Sequence, residues 1–164
     1  MDYVIKPFAR RHWKQVREIY LEGVETRNAT FETEAPDWTK WDASHLPFGR
    51  LVACARQEVV GWAALSSVSS RHCYRGVAEL SVYVRRRRAR QGVGEALLRS
   101  VIEASEKGGI WTLQAAIFPE NVASLALVGK CGFREIGWRE RPAQLGGVWR
   151  DTILLERRSK TVGV

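Results

Sequence analysis

The sequence predicts an α/β (α+β) fold: a mixed, mostly antiparallel sheet of about seven strands with a central βαβ unit and flanking helices. Three observations carry that expectation. Leu80, Val82 and Val84 alternate with Glu79, Ser81 and Tyr83, and the run leads through Gly92-Val93-Gly94 into Val93, Leu97, Val101 and Ala104 at helical spacing. A strand therefore passes through a glycine turn into a helix. Gly108-Gly109 stops that helix and Trp111 to Phe118 reads as a further strand, roughly parallel to the first because a helix connects them. Elsewhere, β-rich runs come in pairs with short connections, as in antiparallel hairpins.

Along the chain, Tyr3 to Ile5, closed by Pro7, is a short first strand. Trp13, Val16, Ile19, Tyr20 and Val24 then repeat at amphipathic helical spacing, and Arg27-Asn28-Ala29-Thr30 ends that helix. Phe31 to Pro36 is extended or looping, and Asp37 is placed to cap a helix from Trp38 to about Leu46. Leu51 to Ala55 and Val59 to Leu65 form a hairpin across Arg56-Gln57-Glu58, and Ser66 to Gly76 is a polar loop. Beyond the central unit, Asn121 is the expected cap of a second helix with Val122, Leu125, Ala126 and Val128 on its inner face, and Cys131-Gly132-Phe133 closes it. Arg134 to Arg139 and Val148 to Leu155 are the last strands, joined through Pro142 and Gly146-Gly147, and 157–164 reads as a loose tail.

At 164 residues and 45% hydrophobic, the chain suits one domain over 1–164 and one core. No stretch resembles a signal peptide or reaches membrane-spanning length. Cys54, Cys73 and Cys131 are scattered without metal-binding spacing, which predicts no metal site and, with the missing signal, a cytoplasmic protein. His12, His45 and His72 fall in no motif and are read as surface residues.

The net charge is +8, with five of the 26 basic residues between Arg85 and Arg90. Glycines at a helix mouth expose unpaired N–H groups, and the helix dipole adds partial positive charge. The turn is thus an anion site that the arginines reinforce, although the arginine run alone also reads as a solvated basic turn or a nucleic-acid patch.

Six segments in order then resemble the GCN5-related N-acetyltransferase superfamily, in its phosphinothricin acetyltransferase branch. They are Ala29 to Glu34, Gly61 to Ser66, Glu79 to Val84, Asn121 to Leu127, Lys130 to Phe133, and Trp149-Arg150-Asp151. The resemblance spans nearly the whole chain. It implies an acetyl-CoA-dependent N-acetyltransferase that acts by direct transfer on the α-amine of a small amino acid or analogue, of phosphinothricin, methionine sulfoximine or methionine sulfone type. The alternatives are a protein or polyamine acceptor, or a non-catalytic module binding acyl-CoA or nucleic acid. The branch also implies a homodimer.

Residue by residue, the resemblance makes Glu79 the general base, where strand alternation alone favours a polar residue on a solvent face. It lays acetyl-CoA along Val82, Tyr83 and Val84, with its pyrophosphate on Arg90, Gln91, Gly92, Val93 and Gly94. Asn121 falls near the pantetheine arm, although it also reads as an ordinary helix cap, and Ser124 is a further cofactor-binding residue. Arg71 and Tyr74 match an Arg-x-x-Tyr pair beside an acidic acceptor, where the residues alone describe a flexible polar loop; Phe31, Glu32 and Trp149 line the acceptor site. Three positions depart from the pattern: Ala89 replaces Gln or Arg in the turn, Val128 stands where the branch has a histidine, and Ser69 falls at a lysine position.

Overall fold

The alternation that marks the central strand divides the molecule into two cores. The computed structural model describes residues 2–164. Among them, seven strands form one sheet: β1 (Val4–Pro7), β2 (Leu51–Ala55), β3 (Glu58–Ser67), β4 (Val77–Val84), β5 (Thr112–Ile117), β6 (Arg134–Leu145) and β7 (Val148–Arg158). Their spatial order is β1-β2-β3-β4-β5-β7-β6, and β4–β5 is the one parallel pair among the described residues. The helices are α1 (Trp13–Glu25), α2 (Trp38–Ser44), α3 (Val93–Lys107) and α4 (Val122–Lys130). These features match the fold class expected from the sequence.

One face of the sheet packs on α3 and α4. There Leu80, Val82 and Val84 of β4 meet Val93, Leu97, Leu98, Val101 and Val128. On the other face Tyr83 joins Val16 and Ile19 of α1, Trp41 of α2, and Val52 and Trp62 of the sheet. Period-two side chains on β2, β3 and β4 supply both cores at once. The second core is aromatic: Tyr83 stacks on Trp62 at 4.9 Å, and Trp41 lies edge-on to Phe8 at 4.8 Å. The side chain of Asp37 accepts from the Lys40 amide at 2.9 Å, which is the expected cap of α2.

Five details of the sequence reading change. The helix capped by Asp37 ends at Ser44, because His45 turns extended and the Leu46 amide donates to the Leu65 carbonyl at 2.8 Å. Val122, expected on the inner face of α4, is 70% exposed at the helix start, and Ala126 is exposed as well; Leu125, Leu127 and Val128 pack inward. The strand after Phe133 continues through Pro142 to Leu145, with an irregular stretch between Arg139 and Ala143 that accommodates the proline. The segment read as a loose tail is held: β7 runs to Arg158, Ser159 is buried against Glu106, and Arg158 donates to the carbonyls of Val162 and Gly163.

The fifth change concerns the histidines. His12 is not a surface residue: it is buried, and its Nδ1 accepts from the Ala9 amide at 3.0 Å. Burial, with Arg11 and Lys6 nearby, pulls its pKa down. The unfolded chain therefore takes up a proton that the fold resists, so stability present at neutral pH is lost as pH falls below about 6.5. His12→Asn keeps an acceptor for Ala9 but does not titrate. Between about pH 7.5 and about pH 5, the urea midpoint of the wild type is expected to fall further than that of His12→Asn.

Candidate active site

Register places the site. β4 and β5 pair only at Val77–Thr112, Ala78–Leu113 and Glu79–Gln114, after which the two strands part. β5 continues to Ile117 paired on its far side with β7, and β4 continues to Val84 paired on its far side with β3. The edges facing the gap thus keep free peptide N–H and C=O groups, which demand a partner. A cavity of about 970 Å³ opens here, lined from one side of the sheet by Tyr20, Trp41 and Trp62 and from the other by Leu98, Leu127 and Val128.

Glu79 sits at the apex of this fork, on the cavity wall, with Ser66 beside it on β3. Ser81, Val82 and Tyr83 also line the cavity, as do Phe31, Glu32, Asn121 and Ser124. Burial pushes the Tyr83 phenol up, so it stays a neutral hydroxyl. Three cavity residues carry buried polar atoms without a hydrogen-bond partner among the described residues: Trp41 Nε1, Trp62 Nε1 and Thr152 Oγ1.

The glycine turn stands just beyond Val84. Gly92 is left-handed, with φ at +80°, and caps α3. A Cβ on Gly94 would lie 3.1 Å from Leu127 and 3.5 Å from Val84, so the missing side chain lets α3 approach both α4 and the end of β4. Ala96 donates to Gly92, whereas the amides of Gln91 to Glu95 have no acceptor among the described residues. Arg90 is exposed, also left-handed, and has no acidic partner among the described residues. Arg90 to Gly94 are not in the cavity lining itself; they form its outer continuation past Leu127 and Val84.

The other arginines of the run, expected to reinforce an anion site, are paired with carboxylates. Arg85 pairs with Glu22 at 2.9 Å and with Glu18 and Glu58, Arg86 with Glu25, Arg87 with Glu58, and Arg88 with Asp2. Their charge ties the turn to the acidic face of α1 and to the β2–β3 hairpin. Arg71 and Tyr74 lie exposed on a turn, the guanidinium over the ring at 5.6 Å, and neither lines the cavity. Trp149 is 54% exposed on β7 and is likewise outside the lining. Among cavity residues the cations are Arg17 and Lys40, with His45 beside them. His45, read as a surface residue, is in fact half-buried.

Arg150 is a residue that pattern reading quoted but gave no role. Its Nη1 donates to the Arg27 carbonyl at 2.9 Å, and its guanidinium lies 4.1 Å from the Phe118 ring. Asn121 Nδ2 donates to the Asn28 carbonyl at 3.0 Å, while its Oδ1 accepts from the Ser124 amide at 3.2 Å. Phe31 meets Phe118 edge-on at 4.8 Å. Together these groups hold the loop after α1 across the cavity. The signal for Arg150 lay in Trp149-Arg150-Asp151, but its contacts reach back more than a hundred residues, which no local pattern encodes.

Comparison with known proteins agrees with this geometry. The model of the acetyltransferase (GNAT) family matches residues 13–133. A phosphinothricin N-acetyltransferase of Alcaligenes faecalis is 34% identical over 87% of this chain and 75% of its own length. An L-methionine sulfoximine/L-methionine sulfone acetyltransferase of Pseudomonas aeruginosa is 33% identical over 62% of this chain and 59% of its own length. A GNAT superfamily phosphinothricin acetyltransferase of Sinorhizobium meliloti, solved in complex with acetyl-CoA, superposes with a TM-score of 0.88 at 24% identity, covering 99% of this chain and 91% of its own.

The double use of Asn121 is separable by mutation. Asn121→Asp keeps an acceptor for Ser124 and loses the donation to Asn28, whereas Asn121→Ala loses both. Asn121→Ala is expected to lower stability by about 1 kcal/mol in chemical denaturation, and Asn121→Asp by less. Both are expected to speed amide exchange at 28–32, because both release the loop.

Proposed function

Because this chain belongs to the acetyltransferase (GNAT) family, we propose that it transfers the acetyl group of acetyl-CoA directly to the α-amine of a small amino acid or analogue of phosphinothricin, methionine sulfoximine or methionine sulfone type. The observation that carries this reading is the fork itself: a carboxylate, Glu79, at its apex, and a free peptide edge that leads from it to an unpaired amide fan at the N-terminus of α3. Glu79 and Val84 are five residues apart, about 16 Å of strand, so the acceptor end and the anion end of one extended ligand are both served. The named acceptors of the Alcaligenes and Pseudomonas relatives support the substrate class.

The residues present suit acetyl-CoA. The edge of β4 at Val82, Tyr83 and Val84 can pair with an amide-bearing chain as a strand would. The N–H groups of Gln91, Gly92, Val93 and Gly94, with Arg90 next to them, suit a pyrophosphate at a helix N-terminus. Asn121 and Ser124 border the space between. When bound, acetyl-CoA supplies an activated thioester; the chain supplies position and proton acceptance.

An amine must be neutral to attack, and at neutral pH it arrives as ammonium. Glu79 carboxylate holds that cation at the apex and accepts its proton, directly or through one water. Phe31 and the aromatic wall exclude bulk water from the transfer. Recognition of an acceptor carboxylate falls to Arg17 and Lys40, which line the cavity together with Glu32. Arg71 and Tyr74 remain candidates only through movement of their exposed loop.

The protein acts in the cytoplasm on this reading, and no helix among the described residues is long and apolar enough to cross a membrane. The exposed Trp138, Val148 and Trp149 on the β6–β7 hairpin support a homodimer.

The test is a thiol-release assay with mass detection over phosphinothricin, methionine sulfoximine, methionine sulfone and the common amino acids. Acetylation of at least one is expected, and none acetylated would sink the acceptor class. Glu79→Gln is expected to bind acetyl-CoA like the wild type and to turn over about a hundredfold more slowly. Equal turnover near neutral pH removes Glu79 from the role of base.

A further inference from the structure

We propose that His45 is a second proton acceptor of the acetyl transfer, its Nε2 facing Glu79 across the acceptor end of the cavity. The inference rests on the acetyl-transfer reading above and deepens it. His45 leaves α2 in an extended conformation, and the next residue, Leu46, donates its amide to the Leu65 carbonyl. The pairing of β2 with β3 stops at Leu51–Ala63, so Leu46 occupies the edge of β3 where β2 has ended. Glu79 stands on the opposite side of β3, on β4, cross-strand from Ser66. Between the two, the same face of the sheet carries the small side chains of Ala64, Ser66 and Ser81, of which Ser81 lines the cavity. His45 and Glu79 both line the one cavity, so an amine held between them has an imidazole on one side and a carboxylate on the other.

The tautomer follows from hydrogen bonding. His45 Nδ1 lies 2.7 Å from the Trp41 carbonyl oxygen, which can only accept, so Nδ1 carries the hydrogen and Nε2 the lone pair. The imidazole stacks on Trp41 at 4.1 Å and meets Trp62 edge-on at 6.5 Å, which holds the ring in place. Nε2 has no protein partner among the described residues, and the indole N–H groups of those same two tryptophans are buried without acceptors. Burial pulls the His45 pKa down, and Arg50 adds to that shift while the Trp41 carbonyl and Asp42 oppose it, which leaves the neutral base in place at physiological pH. Arg17, Lys40, Glu32 and Glu34 share the cavity wall with it.

The proton balance is simple. An ammonium acceptor that becomes an amide loses two protons. One ends on the CoA sulfur as the thiol, and the other leaves to solvent. His45 Nε2 takes the latter, from nitrogen or from a water bonded to it, and passes it to water at the cavity mouth. Glu79 accepts the former from the ammonium, as above, and that proton reaches the sulfur through water as the C–S bond breaks.

The test is the pH dependence of kcat with saturating acetyl-CoA and acceptor in wild type, His45→Asn and His45→Gln. Asn offers its amide N–H to the Trp41 carbonyl, so His45→Asn is expected to melt close to the wild type while its kcat falls at least about tenfold with KM for acetyl-CoA unchanged. The acid limb of the wild-type profile is expected to disappear in the variant, and added imidazole to restore part of the rate. A kcat within about twofold of the wild type, with the acid limb intact, overturns the proposal. So does an equal loss in His45→Asn and His45→Gln without imidazole rescue or a changed pH profile, since that pattern belongs to a purely structural histidine. Absence of turnover in the wild type overturns the acceptor assignment and this proposal together, whereas turnover that His45→Asn matches overturns this proposal alone.

Discussion

The three-residue length of the β4–β5 ladder is the constraint on which the rest depends. Parallel strands joined through a helix normally continue side by side, and each added rung satisfies another peptide group. Here the ladder stops at Glu79–Gln114, and both strands continue without each other. The sheet tolerates this because each strand is paired on its outer side, with β3 or β7. The inner edges remain a peptide surface that a bound chain can complete, and the residue at the last rung, Glu79, faces whatever enters. Both cores border the gap, which is why one cavity draws residues from α1 and α2 on one face and from α3 and α4 on the other.

Closure of that gap comes from distant parts of the chain. Arg150 on β7 and Asn121 at the start of α4 both grip the loop after α1, at Arg27 and Asn28. Each is also fixed locally, Arg150 on the Phe118 ring and Asn121 as the cap of its own helix. A side chain that is already ordered loses little further entropy when it makes a second bond, so these contacts hold the loop at low entropic cost.

The elements most legible in the sequence were those set by period and by local capping. Leu80, Val82 and Val84 alternate as a strand feeding two cores must, Asp37 and Asn121 cap helices through their own neighbouring amides, and Gly92 takes a backbone angle that glycine favours. The family resemblance, not local pattern, singled out Glu79, Val82, Tyr83, Phe31, Glu32, Asn121 and Ser124, all of which line the cavity, and Val84, Arg71, Tyr74 and Trp149, which do not. What local reading missed depends on partners far away in sequence. Arg85 to Arg88 looked like a free basic run because the carboxylates that pair with them, on α1, the β2–β3 hairpin and the N-terminus, are separate in sequence. His45 looked like surface because nothing in its neighbours indicates that the segment turns back along β3. Ser159 and Arg158 looked frayed because their anchors are Glu106 and the tail's own carbonyls.

The net charge of +8 therefore says less about a polyanionic partner than it first suggests, and the position of the charges says more. Four of the five basic residues between Arg85 and Arg90 have acidic partners, and Arg85 is largely covered by them. Those pairs hold the turn against α1 and the β2–β3 hairpin, which sets the direction from which α3 starts. An anion bound at that start, as proposed above, would be met chiefly by peptide N–H groups and by the dipole of a fifteen-residue helix. Backbone donors of this kind are fixed by the fold and need no reorganisation on binding, whereas a cluster of free arginines would have to be ordered by the ligand. The paired arginines thus tie down the turn on which the unpaired amides are displayed.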